Sequence, residues 1–204
     1  MDLKQRYSNL LSEYIEDENL IALLWKNLDE YYSEKHRTYH NKTHLVELFK
    51  YFDKYKSNLR THNTLAFSIF YHDIIYNIWK QDNEEKSADY AVKALTKIRL
   101  PVSVLEEIHQ QIIATKTHKA NDNDSKWFVD FDLAILGKSS EVYKNYAQLI
   151  RKEYKLIPNF MYKKGRKKVL QHFIDKPFIY ATEEFKELYE HQAKQNLINE
   201  LNSL

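Results

Sequence analysis

His72 and Asp73 stand side by side in the most apolar stretch of the chain, Leu65-Ala66-Phe67-Ser68-Ile69-Phe70-Tyr71-His72-Asp73-Ile74-Ile75-Tyr76. An imidazole and a carboxylate in such surroundings need partners, because a buried charge without compensation is expensive. A cation is one such partner, and the chain carries further donors for it. His40 and His44 lie upstream as His-x-x-x-His, a spacing that puts both on one face of a helix. Asp130 and Asp132 lie downstream as Asp-Phe-Asp, and Asp132 is followed by Leu133-Ala134-Ile135-Leu136, where a carboxylate is seldom an idle solvated group. These side chains together point to an enzyme holding one divalent cation.

The elements that must position these residues read as helices. Apolar residues recur at helical spacing along nearly the whole chain. Helices are predicted over about 3–15, 19–32, 41–55, 63–76, 82–98, 101–116, 126–136, 139–154, from 158 onward, and 182–201. The fourth is apolar nearly all round and should be the central buried helix, with His72 and Asp73 near its end, about 100 degrees apart around the axis. Asp82-Asn83-Glu84-Glu85 reads as a capping box, Pro101 and Pro158 as helix openers, and Gly137 as a stop. Only 2 Gly and 3 Pro are present, which favours long helices over strands and tight turns. The reading is an all-α fold of about ten helices in one domain spanning 1–204.

Composition narrows the function classes. At 204 residues with 43% hydrophobic content the chain can bury a proper core. A net charge of +2 is nearly balanced, so bulk charge predicts neither a membrane nor a nucleic-acid partner. The absence of Cys excludes disulfides and thiolate metal sites. The N-terminus lacks the apolar core of a signal peptide, and a cytoplasmic location is the expectation. Lys163-Lys164-Gly165-Arg166-Lys167-Lys168 is the one dense basic run and reads first as a solvated helix face.

Common metal motifs fail. The zincin pattern needs Glu after its first His, where Asn41 stands. A di-iron bundle needs two Glu-x-x-His motifs, and only Glu106-x-x-His109 is present. What survives is His, then His-Asp, then Asp, the pattern of the HD superfamily of metal-dependent phosphohydrolases, which the chain resembles. Arg37-Thr38-Tyr39-His40-Asn41-x-x-His44, Phe70-Tyr71-His72-Asp73-x-x-Tyr76, Asn83-Glu84-Glu85-x-Ser87-Ala88, Ile113-Ala114-Thr115-Lys116-x-His118 and Asp130-x-Asp132-Leu133-Ala134-Ile135-Leu136-Gly137 are similar to the branch known as predicted metal-dependent HD superfamily phosphohydrolases. The resemblance covers roughly 25–201.

The resemblance implies an HD-type helical domain with His44, His72, Asp73 and Asp132 as metal ligands. His40 for His44, and Asp130 for Asp132, remain open; Asp130 otherwise reads as a supporting or helix N-terminal carboxylate. Two His and two Asp suit Mn, Fe, Co, Ni or Mg better than closed tetrahedral zinc. The implied reaction is attack of metal-activated water on a small phosphorylated substrate, a nucleotide by preference, with Asp73 orienting or deprotonating the water. Glu84 is the candidate for proton transfer, while Arg37, His40, Lys116 and His118 are candidates to meet the substrate phosphate. Two alternatives stay open: a non-catalytic nucleotide-sensing module that keeps the site, and a di-iron oxygenase, against which Ile74-Ile75 stands where dinuclear relatives carry Gly-Lys.

Overall fold

Asp2, Asp17, Asn41, Ser139 and Thr182 start five helices by the same chemistry. Each side chain accepts a backbone N–H of the first turn, from Gln5, Leu20, Thr43, Val142 and Phe185 respectively, satisfying donors that have no partner within the helix. The computed structural model describes residues 2–204, and among them there are ten α-helices and no strand. They are α1 (Leu3–Ser12), α2 (Glu18–Tyr32), α3 (Lys42–Lys54), α4 (His62–Tyr71), α5 (Asn83–Leu95), α6 (Val102–Thr117), α7 (Asn123–Leu133), α8 (Ser140–Glu153), α9 (Asn159–Asp175) and α10 (Glu183–Ser203). The all-α expectation and its count of ten are borne out.

Contacts group the chain into two compact units, a first ending at Phe128 and a second, Val129–Leu204, with the division falling inside α7. In the first unit α4 is the central element: every residue from Thr64 to Tyr71 is buried. It packs on α3, α5 and α6. Phe70 meets Phe49 of α3 with ring centroids 4.6 Å apart and Tyr7 of α1 at 4.8 Å, and such buried aromatic pairs stabilise beyond their area. The buried hydroxyls of Tyr7 and Tyr71 satisfy each other. Ser68 donates its Oγ–H to Gln111 Oε1 at 2.6 Å, tying α4 to α6.

In the second unit α10 packs on α8, on α9 and on a 3-10 turn, Ala134–Gly137, which α8 also meets. Asn196 of α10 donates to the carbonyls of Leu136 and Lys138, both at 2.8 Å, closing that turn. Arg166 and Glu200 form a two-pronged ion pair at 2.8 Å on each arm, and Tyr143 donates to the same carboxylate. The pair is enclosed, and its planar fork geometry offsets the cost of removing both charges from water.

Three sequence expectations are corrected. The fourth helix ends at Tyr71, not Tyr76, because side chains from elsewhere capture the next backbone groups: Arg37 takes the carbonyls of Asp73 and Ile74, and Ser87 Oγ accepts the N–H of Ile75. His40 lies before the Asn41 N-cap of α3, so His40 and His44 do not share a helix face. Asp82 stands at the start of α5 but its side chain makes no cap bond; it pairs with Lys86 at 2.9 Å instead.

Candidate metal centre

α3 supplies His44 from its first turn, buried on the helix face that also carries Leu45 and Leu48. The end of α4 supplies His72, whose backbone N–H still donates to Ser68 O at 2.9 Å as the last helical bond. Asp73 follows in the turn. The three side chains converge. His44 Nε2 lies 3.2 Å from His72 Nε2, and Asp73 Oδ2 lies 3.2 Å from His72 Nε2 and 3.8 Å from His44 Nε2. Both rings are buried, and Asp73 is partly buried.

The protonation pattern of His72 follows from its other nitrogen. Nδ1 lies 2.9 Å from the carbonyl oxygen of Ile69. A carbonyl only accepts, so Nδ1 carries a hydrogen in either charge state; Nε2 is the nitrogen that can be protonated toward Asp73 or, once deprotonated, offer its lone pair to a metal ion. A histidine whose far nitrogen is fixed by a backbone carbonyl is the arrangement metal-binding imidazoles use. Spacings near 3 Å are those of neighbouring ligands around one ion with bonds of about 2.1 Å. The donor set therefore fits a divalent cation.

Burial alone would raise the Asp73 carboxyl, but the charge and hydrogen bond of His72, with His40 and His44 behind them, hold it well below the usual carboxylate range. Phe128 of α7 packs edge-on against the His72 ring at 5.5 Å between centroids. Asp132 stands four residues further on the same helix, so the two share a face. His44, His72 and Asp132 each offer one ligand atom within 4.8 Å of the others, a group that could hold a metal ion.

Asp130 is used differently. Its carboxylate is fully buried and accepts the N–H of Ala181 at 2.7 Å, the N–H of Thr182 at 2.7 Å and the hydroxyl of Thr182 at 2.6 Å, all at the start of α10. Burial outweighs these bonds and pushes its pKa up to about 6. Its oxygens thus serve the N-terminus of α10.

Arg37 lies beneath the site with its side chain wholly enclosed. Its guanidinium donates to Asp73 O at 2.6 Å, Ile74 O at 2.8 Å, His40 O at 3.3 Å and Glu34 Oε2 at 2.8 Å. It holds backbone in place, in contrast to the phosphate contact expected of it. His40 stacks on Tyr76 with centroids 4.4 Å apart, and its ring lies 5.9 Å from that of His44.

Glu84 opens α5, and its carboxyl is raised by burial and by the charge on Asp73, against its own backbone N–H and Lys116. Lys116 pairs with Glu85 and donates to Gln81 O at 2.9 Å. His118 ends α6 in a left-handed conformation, φ 51°, its N–H donating to Ala114 O at 2.8 Å.

Sequence reasoning missed Tyr146 of α8. Burial raises its phenol, countered by Arg166, and Glu200 and Asp132 add to the rise. It also missed Tyr76 as the stacking partner of His40. Neither carries a local motif, and only the packing reveals them. Compared with protein-family models, curated proteins and solved structures, the chain matches none.

Proposed function

We propose that this protein is a metal-dependent phosphohydrolase of the HD type, acting on a small phosphorylated molecule, a nucleotide by preference. The convergence of His44 Nε2, His72 Nε2 and the ionised Asp73 carboxylate carries this reading. His44, His72, Asp73 and Asp132 would hold one divalent ion, and Mn, Fe, Co, Ni or Mg suit a mixed nitrogen and oxygen set. When bound, such an ion supplies an acidified water and charge to polarise a phosphoryl oxygen. The set lacks the thiolates of the usual structural zinc site, and mixed imidazole and carboxylate donors are compatible with a hydrolytic metal.

The remaining chemistry belongs to side chains of the chain itself. Asp73, ionised because its burial is outweighed by His72 with His40 and His44, would orient an attacking water by accepting its hydrogen bond. Glu84, whose carboxyl burial raises above its ordinary value against its backbone bond, is the candidate to hand a proton to the leaving group. His40, stacked on Tyr76 with its ring 5.9 Å from that of His44, would be a contact for the phosphate. Arg37 fixes the Asp73 backbone and so the direction of its carboxylate. Lys116, in the last turn of α6, pairs with Glu85 and adds positive charge beside Glu84, and His118, the next helix-end candidate, would meet the phosphate.

Metal analysis of the purified protein, then a phosphatase screen across nucleotides with each candidate metal, tests the reading. Hydrolysis that disappears in Asp73→Ala with helical content retained is the expected outcome. Tight nucleotide binding without turnover under every metal would replace the enzyme with a sensing module. Two bound irons and oxygen consumption would replace it with an oxygenase.

A further inference from the structure

The corner between α8 and α9 carries a surface that the metal centre does not use. From Tyr154 to Ile174 the sequence contains no Asp or Glu, but it contains Lys155, Lys163, Lys164, Arg166, Lys167 and Lys168. Glu153, just before it, is buried at 1% exposure. Arg166 is spent on Glu200, and Lys163 donates to the Leu204 carbonyl at 2.8 Å. Lys155, Lys164, Lys167 and Lys168 are exposed and, among the described residues, make no ion pair.

Helix geometry gathers the rest of this surface on one side. α9 buries Tyr162, Arg166, Leu170 and Phe173. At 3.6 residues per turn the opposite side of α9 carries Phe160, Met161, Lys164, Lys167 and Lys168. Phe160 is 74% exposed, Met161 51%, and Leu156 in the turn before the helix 67%. Large apolar side chains this open, ringed by unpaired lysines, mark a surface that meets a partner.

The pairing of the two features selects the partner's chemistry. Lysines alone would suit any polyanion. Leu156, Phe160 and Met161 gain nothing from a solvated phosphate backbone, whereas an anionic bilayer offers headgroup charge to the lysines and an acyl boundary to the apolar tips. Lysine stems reach outward past such tips while keeping their charge at the headgroups. We propose that the α8–α9 corner docks this protein on anionic phospholipid membranes as a peripheral surface contact. No described helix is long and apolar enough to cross a membrane, so the attachment is shallow and reversible. The net charge of +2 hides this patch because acidic residues elsewhere balance it.

Sedimentation of the full chain with vesicles tests the proposal. The protein should pellet with phosphatidylcholine vesicles containing phosphatidylserine, stay in solution with phosphatidylcholine alone, and release as salt rises. Each lysine removed in the series Lys164→Gln, Lys167→Gln and Lys168→Gln should weaken binding roughly fivefold. Phe160→Ser should weaken it further at unchanged charge, with circular dichroism confirming the fold. Failure to bind anionic vesicles at low salt overturns the proposal, and that arm needs only the unaltered protein. Equal binding to neutral vesicles overturns it too. So does an unchanged affinity in folded Phe160→Ser, and so does binding to a single-stranded oligonucleotide but to no vesicle.

Discussion

Arg37 grips the backbone of Asp73: its guanidinium donates to the Asp73 carbonyl at 2.6 Å and, with the neighbouring nitrogen, to the Ile74 carbonyl at 2.8 Å. One side chain thus ends α4 and sets the direction of the carboxylate beside His72. A lysine ammonium is a point charge and cannot span both carbonyls while also meeting Glu34. Arg37→Lys should lower metal affinity by about 10- to 100-fold, as loss of supporting bonds does in metal sites. Isothermal titration with Mn or Ni would measure it, and an unchanged affinity would remove Arg37 from the site's support.

Divalent metal should stabilise the protein, because the unfolded chain cannot gather His44 and His72 to 3.2 Å. At one hundred times its dissociation constant the ion adds about 2.7 kcal/mol. Melting with and without a chelator should therefore differ by several degrees. The difference should vanish in His44→Ala and in His72→Ala, while a shift that survives both would place the ion elsewhere.

Asp124 gives a pH dependence of known sign. It accepts the N–H groups of Arg60 at 3.0 Å and Thr61 at 2.7 Å. Burial alone would raise its pKa, but these bonds and that of Asn123 lower it below the ordinary 3.8. Stability from Asp124 is thus fully present above 3.8 and is lost as the pH falls through the lowered folded value. Asp124→Asn should cost about 1–3 kcal/mol at neutral pH. Its deficit against the unaltered protein should shrink in acid, as followed by urea unfolding at several pH values; a deficit that grows in acid would contradict the assignment.

The two glycines should respond in opposite directions to alanine. A Cβ at Gly137 would collide with Tyr189 Cβ and come within 2.8 Å of the Tyr180 hydroxyl, whereas one at Gly165 meets nothing within 4 Å. Gly137→Ala should destabilise by about 1–3 kcal/mol, the cost of forcing volume into a packed core. Gly165→Ala, inside α9, should stabilise by up to about 1 kcal/mol through helix propensity. Thermal melts of the two variants shifting the same way would contradict this packing.

Much of the architecture is written in local sequence. Ser139 and Thr182 mark helix starts because a cap needs only a backbone N–H two or three residues ahead. The apolar run 64–71 declares a buried helix because no face of it is polar. The candidate ligands are legible for the same reason: ionisable groups in apolar surroundings are conspicuous.

What the sequence alone determined, then, is the all-α class, ten helices and the short set of groups from which a site could be drawn. Tertiary structure decided how those groups are used. It ended α4 at Tyr71 through Arg37, 36 residues away from Asp73 in sequence. It committed Asp130 to the start of α10, 52 residues on. It placed His40 outside α3 and brought His44 to His72. The physical reason is competition for backbone donors and acceptors. Propensity and periodicity act over one or two turns, but a carbonyl left free at a helix end goes to whichever donor the fold delivers, and no local pattern records that donor's identity.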